Sequence, residues 1–304
     1  MKRYDLNIAW SPSTTQDQLL QTLTLASTLG YGTVALNHTL SPSQTGNPTS
    51  PLPKRIAGPD GDTSKLPAVL HRATLPLADP AASTYRLPAL SKVYDVLAVR
   101  PTEEKAFSNA CLTLDVPLIS LDLTQRFAFH FRPKPCMAAV GRGVRFEVCY
   151  AQCLAADARG RATFIGNVRE LIRATGGRGI VLSSGAGDAM GLRAPADVVN
   201  LMSVWGLAGD KGVEGLGTVP RSVVVNEGIK RTGFRGVIDV VGVGEEGATP
   251  ITTTTAAASE GKDDGSAGGK EKNAKRKNGD ADENNAHGGK NKSKKMKVVS
   301  REGR

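Results

Sequence analysis

Few side chains in this chain of 304 residues are of types that do chemistry, and their small number narrows the options. A metal-dependent phosphoesterase needs several histidines and carboxylates converging on one or two ions. Only four His are present. His71 lies in a Pro-rich stretch, His130 opens a helix-like segment and His287 sits in a Lys-rich tail, which leaves His38 as the one well-placed imidazole. A metal site would therefore have to be led by the carboxylates Asp5, Asp122 and Glu147. The competing expectation for these acids is ion pairing with Arg100, Arg126 or Arg145. Cys149-x3-Cys153 lacks a second Cys or His pair at zinc spacing. No cysteine has an evident base, so Cys111, Cys136, Cys149 and Cys153 are expected as buried, reduced thiols. Ser183-Ser184-Gly185-Ala186-Gly187 follows an apolar run and could offer backbone amides to a phosphate. It carries neither the Lys of a P-loop nor the acid of a dinucleotide fingerprint, and a tight turn is the favoured reading.

Arginine is the more abundant chemistry. Arg100, Arg126, Arg132, Lys134, Arg142 and Arg145 crowd the middle of the chain, followed by Arg159, Arg161, Arg169, Arg173, Arg178 and Arg193. Guanidinium groups make bidentate contacts to phosphate and stack on bases. In the run Arg126-Phe-Ala-Phe-His-Phe-Arg-Pro-Lys134, cations interleave with Phe127, Phe129 and Phe131. It reads as a loop presenting charge and stacking rings, with the alternative that one or two of these rings are core. Arg100, Arg126, Lys134, Arg142, Arg159, Arg173 and Arg193 are the candidate RNA contacts.

These groups need a scaffold, and short apolar runs recur to supply one: Tyr4–Trp10, Thr33–Asn37, Tyr94–Val99, Leu118–Leu123, Arg145–Tyr150, Gly179–Ser184 and Ser222–Val225. Most are continuous rather than alternating, as in strands buried on both faces. Helical spacing lies between them, at Gln16–Leu29 with Gly30 to stop it, after Thr102 as an N-cap, at Phe164–Ala174 and at Ala196–Trp205. Strand–helix alternation predicts an α/β fold with a parallel sheet. Seven strands with an ambiguous eighth at Gly236–Val241 match a TIM-barrel-like (β/α) barrel, with an open doubly wound sheet as the alternative. Functional groups of such a barrel gather at the C-terminal strand ends, which nominates His38, Arg100, Asp122, Arg126, Glu147, Tyr150, Ser183, Ser184 and Asn226. The Pro-rich stretch over about residues 40–90 reads as an irregular insertion carrying one short buried run at Ala68–Leu70.

The domain expected over residues 1–241 is followed by a Lys-rich tail, residues 242–304, without apolar periodicity, which should be disordered. From Ser259 to Arg304 there are 13 basic and 8 acidic residues, within a chain of net charge +10. This excess suggests an anionic partner, most often nucleic acid, although a merely solubilising tail fits too. Lys275-Arg276-Lys277 and Lys294-Lys295-Met296-Lys297 are basic clusters of the nuclear-targeting type. No apolar run reaches the length of a membrane span, and the opening residues show no signal region, so an intracellular protein with no membrane partner is expected.

Four ordered motifs carry a resemblance to a known family: Asp95-Val-Leu-Ala-Val-Arg-Pro-Thr-Glu-Glu-Lys105, Pro117-Leu-Ile-Ser-Leu-Asp-Leu-Thr-Gln-Arg126, Arg145-Phe-Glu-Val-Cys-Tyr150 and Gly179-Ile-Val-Leu-Ser-Ser-Gly-Ala186. Together they resemble the thirty-kilodalton protein subunit of eukaryotic and archaeal ribonuclease P, shared in eukaryotes with RNase MRP. The likeness runs over about residues 1–238 and is weak in the insertion. It implies a TIM-barrel-like fold and a non-catalytic subunit of an endoribonuclease that removes 5′ leaders from precursor tRNA, with rRNA processing through RNase MRP. It further implies that the RNA does the chemistry with bound magnesium, that the protein holds no cofactor, that a small α/β subunit is a partner, and that the location is nuclear and nucleolar. The fold is distantly similar to the polymerase and histidinol phosphatase metalloenzymes, whose first strand carries His-x-His where this sequence has Asp5-Leu-Asn7. The competing functions are such a phosphoesterase and a protein-only interaction barrel.

Overall fold

The computed structural model describes residues 2–41, 49–53, 56, 66–78 and 87–232. They belong to one compact unit, Met1–Gly244; a second unit, Glu245–Arg304, lies outside the described residues, as do both basic clusters and the candidate strand Gly236–Val241.

Seven strands, β1 (Arg3–Trp10), β2 (Tyr31–Thr39), β3 (Ala68–Leu77), β4 (Val96–Pro101), β5 (Leu118–Ser120), β6 (Arg145–Cys149) and β7 (Ile180–Ser183), pair in chain order, each parallel to the next. Around them run α1 (Gln16–Thr28), α2 (Leu87–Ser91), α3 (Glu104–Leu112), α4 (Pro133–Gly141), α5 (Tyr150–Ala155), α6 (Ala158–Thr175), α7 (Pro195–Val204), α8 (Gly209–Leu216) and α9 (Thr218–Thr232). The helix boundaries follow from local chemistry. Thr15 caps α1 in a reciprocal capping box with Gln18, and Leu19, Thr22, Leu23 and Ala26 form its buried stripe. Asp157 accepts a hydrogen bond from the Gly160 amide at the start of α6, and Gly176, left-handed at φ +60°, ends it. Pro133 and Pro195 open α4 and α7, where the missing N–H is not needed.

Both faces of the sheet are covered, which explains the continuous apolar runs. Val34, Leu36, Leu97, Val99, Phe146, Val148 and Leu182 join the main core under the helices. The alternate positions Ala35, Val96, Ala98, Leu118 and Val181 join Tyr4 and Leu6 in a smaller cluster inside the barrel, which Val219, Val223 and Val224 of α9 close from below. Ion pairs pin this plug: Arg231 to Asp95 at 2.8 Å and Lys230 to Asp115 at 2.9 Å.

The ring has no eighth strand among the described residues, and β7 meets β1 across a short seam. The Gly185 amide donates to the Asn7 carbonyl at 2.7 Å and the Ala9 amide to the Ala186 carbonyl at 2.8 Å. Farther down, α8 lies along β7; a Cβ on its Gly215 would stand 3.0 Å from the Ile180 carbonyl oxygen.

Three sequence expectations change. Ser222–Val225 is not a strand but part of α9, with Val223 and Val224 recruited as the plug. The stretch expected as an irregular insertion contains the ten-residue β3, of which Ala68–Leu70 is only the beginning. Thr102 is not the cap of α3; Glu103 stands there without a side-chain cap bond.

Gly185 is left-handed at φ +64°, and a Cβ there would lie 2.9 Å from Cβ of Cys149. Gly185→Ala combines about 1–2 kcal/mol of backbone strain with about 1–3 kcal/mol of overpacking. We expect a clear fall in the urea midpoint; an unchanged midpoint would show that the seam is not a packed closure.

Candidate functional site

The upper part of the barrel interior is polar and filled by the protein itself. Arg72 of β3 and Glu147 of β6 are both fully buried and face each other across the lumen. The guanidinium Nη2 donates to Glu147 Oε2 at 2.6 Å, and Nη1 donates to Oε1 and, at 2.6 Å, to the Leu6 carbonyl. This is a bidentate, charge-assisted pair. Asn7 Nδ2 donates to Glu147 Oε2 at 3.2 Å and to Cys149 Sγ at 3.2 Å; Asn7 Oδ1 accepts from Asn37 Nδ2 at 2.9 Å, and Asn37 Oδ1 from Thr74 Oγ1 at 2.8 Å. Burial alone would push Glu147 up, but the Arg72 charge and the hydrogen bonds from Arg72 hold its carboxyl down at about 2.

Asp5 behaves in the opposite way. It lies where β1 departs from regular pairing with β2, and its Oδ1 accepts from the Ser184 amide at 2.9 Å and the Asn7 amide at 3.1 Å. Burial raises it to about 6 against those bonds, and the nearby Glu147 charge adds to the rise.

The remaining groups nominated from sequence are spent locally. Asp122 Oδ1 accepts from the Thr124 hydroxyl at 2.6 Å and Oδ2 from the Gln125 amide group at 2.7 Å, so its carboxylate closes its own turn. His38 points to the outside of the barrel, because its neighbour Asn37 takes the inward position; it packs edge-on to Trp10 and lies 3.4 Å from the Tyr94 hydroxyl. Among the described residues no three His, Cys, Asp or Glu come together as metal ligands. Arg72 already claims both Glu147 oxygens, so this lumen does not fit a metal centre. The amides of Ser184, Gly185 and Ala186 go to Asp5, Asn7 and the Ser184 hydroxyl, which selects the tight-turn reading of Ser183–Gly187. Tyr150 is buried with its hydroxyl accepting from the Arg193 amide at 3.0 Å. Asn226 is an exposed residue of α9. The four cysteines are free and buried, and burial raises Cys111 to about 12 and Cys136 to about 11.

What the barrel offers outward is charge. In the segment between β5 and α4, Phe129 and Phe131 are buried and Phe127 packs against the core. Their rings cluster with Phe107 at centroid distances of 5.0 to 5.5 Å. The rings therefore anchor the segment and are not stacking platforms for bases. The alternate residues Arg126, His130, Arg132 and Lys134 are all exposed. Helix α4 starts at Pro133, so His130 precedes it. Asn167 of α6 holds the segment by donating to the Leu123 and Gln125 carbonyls at 2.8 and 2.9 Å.

The seven candidate RNA contacts do not form one cluster. Arg100, Arg126, Lys134, Arg159 and Arg193 lie at the C-terminal side of the barrel; Arg142 and Arg173 lie at the ends of α4 and α6, toward the opposite side. Arg159 and Arg173 are fourteen residues apart on one helix, roughly 21 Å. Arg100 is half-buried above the lumen, with Nε donating to the Ser120 carbonyl at 3.3 Å. Arg142 donates to the Cys111 and Leu114 carbonyls at 2.8 and 2.7 Å, so it caps the end of α3. Arg193 turns back onto the Met190 and Leu192 carbonyls at 2.8 and 2.6 Å. Arg126, Lys134, Arg159 and Arg173 keep exposed side chains. Arg72, the most buried cation, escaped the sequence reading because it lies in the stretch taken as irregular; its signal is the alternation of Arg72 and Thr74 with Ala73 and Leu75.

Two outcomes follow for the lumen. Arg72→Met leaves the Glu147 charge buried alone and should cost about 3–5 kcal/mol in denaturant unfolding, with Arg72→Met/Glu147→Met recovering much of it. A double variant no better than the single one would contradict this account. Asp5 has a folded-state value raised to about 6, so its stabilising protonated form is fully present below the unfolded value of about 3.9. That contribution is lost as pH rises through about 6. Asp5→Asn should therefore be more stable than the parent at pH 7–8, by up to about 3 kcal/mol, with the difference vanishing near pH 4. A pH-independent difference in urea midpoint would contradict the assignment.

Residues 2–232 match the family model described as RNase P subunit p30. The mouse ribonuclease P protein subunit p30 is 33% identical over 227 residues, covering 71% of this chain and 82% of the relative. The ribonuclease P/MRP protein subunit RPP1 of Saccharomyces cerevisiae is 30% identical over 237 residues, covering 73% and 79%. A chain in the cryo-EM structure of archaeal ribonuclease P with mature tRNA superposes with TM-score 0.59 at 13% identity, over 80% of this chain and all of that one, a likeness of fold. With seven parallel strands in barrel order and a match spanning almost the whole described unit, this chain belongs to the RNase P subunit p30 family.

Proposed function

We propose that the chain acts as a non-catalytic protein subunit of the ribonuclease P and RNase MRP ribonucleoproteins, supporting the RNA that removes 5′ leaders from precursor tRNA and processes rRNA. The observation that carries this reading is the division within the barrel. Its interior is occupied by the Arg72–Glu147 pair, whereas its exterior carries exposed cations on a rigidly held segment. A catalytic RNA is a dense polyanion whose active fold is opposed by its own charge, and fixed cations lower that opposition. Magnesium belongs to the RNA in this reading, and no cofactor to the protein. The phosphoesterase alternative is disfavoured because Asp5, Asp122 and Glu147 are each committed to other partners.

Arg126, Lys134, Arg159 and Arg173 are the main phosphate contacts, with Arg100 above the lumen as a further one. Arg142 and Arg193 act chiefly by holding the fold, because their guanidinium groups are engaged by backbone carbonyls. The partners are the ribonuclease P and RNase MRP RNAs, precursor tRNA through the complex, and other protein subunits including the small α/β one. The clusters Lys275-Arg276-Lys277 and Lys294-Lys295-Met296-Lys297 direct the chain to the nucleus and nucleolus.

Purification of the tagged chain from its own cells should yield precursor-tRNA cleavage that disappears when the RNA is digested. Activity surviving digestion would overturn the reading. For contacts, Arg126→Ala should reduce the slope of log affinity against log salt by about 1. Arg142→Ala should leave that slope unchanged and lower the melting temperature. An unchanged slope for Arg126→Ala would remove it from the contact surface.

A further inference from the structure

The chain leaves β1 at the C-terminal rim of the barrel through the turn Ser11-Pro12-Ser13-Thr14. The Thr14 amide donates to the Ser11 carbonyl at 2.9 Å, with Pro12 at the second position, where its fixed φ suits a turn. Ser11 Oγ lies 2.7 Å from Ser13 Oγ and 3.3 Å from Thr14 Oγ1, and the Ser11 amide donates to Thr14 Oγ1 at 3.2 Å. Ser11, Pro12 and Ser13 are exposed, and from Ser11 to Gln18 only Thr14 is half-buried. The Ser11 hydroxyl is thus held only by hydroxyls of its own turn. One backbone hydrogen bond closes the turn and no apolar anchor fixes it, so it can open into another protein's cleft at little cost.

The sequence around this hydroxyl limits which enzyme could read it. From Tyr4 to Pro53 there is no Lys or Arg. A kinase that selects basic residues beside its target finds none on this segment, whereas one that selects proline after serine finds Pro12. Ser-Pro occurs three times in the chain, at Ser11, Ser41 and Ser50. Ser50 is half-buried, its Oγ accepts from the Leu52 amide at 3.4 Å, and Leu52 is buried in the main core. Reaching Ser50 would mean pulling Leu52 out. Ser41 is exposed, but its Pro42 lies outside the described residues. Ser11 is the Ser-Pro site whose serine and proline are both described and both exposed.

We propose that Ser11 is a phosphorylation site for a proline-directed protein kinase, and that the phosphate weakens the hold of the C-terminal rim on RNA. In the transfer, Ser11 Oγ attacks the γ-phosphorus of ATP. The new O–P bond replaces the bond to the bridging oxygen, ADP leaves, and the hydroxyl proton passes to the base of the kinase. The product carries a charge of about −1.5 to −2. Arg100, Arg126, Lys134, Arg159 and Arg193 lie on the same side of the barrel. RNA held by them would meet a like charge, and because that charge stands in solvent its effect is screened by salt. The regulatory half of the proposal rests on the function proposed above. The fold itself tolerates the anion, since α1 begins shortly after the turn and offers its positive end.

The test uses the full-length chain, a cyclin-dependent protein kinase and ATP. One phosphate should enter at Ser11, located by mass spectrometry. Ser11→Ala should abolish that incorporation and Pro12→Ala should lower it at least about tenfold, both with unchanged melting temperature, whereas Ser50→Ala should leave it intact. The same phosphopeptide should appear in tagged chain purified from its own cells with phosphatases inhibited. The phosphorylated chain should bind the RNA of the particle roughly two- to threefold more weakly at low salt, with the difference gone above about 0.5 M salt. Modification elsewhere with Ser11 untouched, or a Ser11 free of phosphate in the cellular protein, would overturn the site. Equal RNA affinity of the two forms at low salt would overturn the regulation. Failure of the unmodified chain to bind that RNA at all would instead overturn the proposed function, so the failures are distinguishable.

Discussion

The Arg72–Glu147 pair is the constraint around which the barrel is arranged. A carboxylate with no access to water must be neutralised or paired, and the fold pairs it with a guanidinium from three strands away across the lumen. Much of the remaining hydrogen-bonding capacity is met within the lumen, with Arg72 Nε and Asp5 Oδ2 among the buried atoms left without a partner. Asn7 serves Glu147, Asn37 serves Asn7, and Thr74 serves Asn37. The seam between β7 and β1 is tied into the same network, since Asn7 also accepts the Gly185 amide through its carbonyl and lies two residues from Asp5. Each of these bonds is costly to lose in a buried interior, so the network fixes strand register as well as charge. It also removes the site at which a barrel of this type would ordinarily hold a ligand.

The outer surface follows a related rule with the charges reversed in position. The alternation in Phe127–Lys134 places rings in the core and cations in solvent, so the rings hold the backbone while the charges remain free. Cations at the ends of elements are treated differently. Arg142 and Arg193 satisfy carbonyls that helix and turn ends leave without partners, so their charge contributes to the fold before any ligand arrives. Sequence position does not separate these two kinds of arginine, because the difference lies in which carbonyls come within reach after folding.

Much of the architecture was legible. Six of the seven apolar runs are strands, and the spacing of Leu19, Leu23 and Ala26 and the stop at Gly176-Gly177 locate α1 and α6 well. The failures have physical causes. In β3 the inward positions are Arg72 and Thr74, so its pattern lacks the continuous apolar run seen elsewhere, and the prolines on either side suggested irregular chain. Ser222–Val225 is β-branched and reads as strand, yet tertiary packing overrides propensity because Val223 and Val224, with Val219 one turn earlier, close the barrel floor. The sequence pointed to an arginine-rich middle but could not divide it by role, and Asp5 and Asn7 gained their meaning only beside Glu147 and Ser184.

The polar lumen and the charged exterior are connected through rigidity. A protein that stabilises a folded polyanion must present its cations at fixed positions, because a flexible cation loses conformational entropy on binding and returns less of its Coulomb gain. Arg126 and Lys134 stand on a segment held from beneath by four packed phenyl rings and from the side by Asn167. Phe107 in turn packs on Phe146 of β6, the neighbour in sequence of Glu147. The strand that carries the buried anion thus also supports the exposed cations. Disturbing the lumen would be felt at the outer surface through β6, even though no lumen residue reaches that surface.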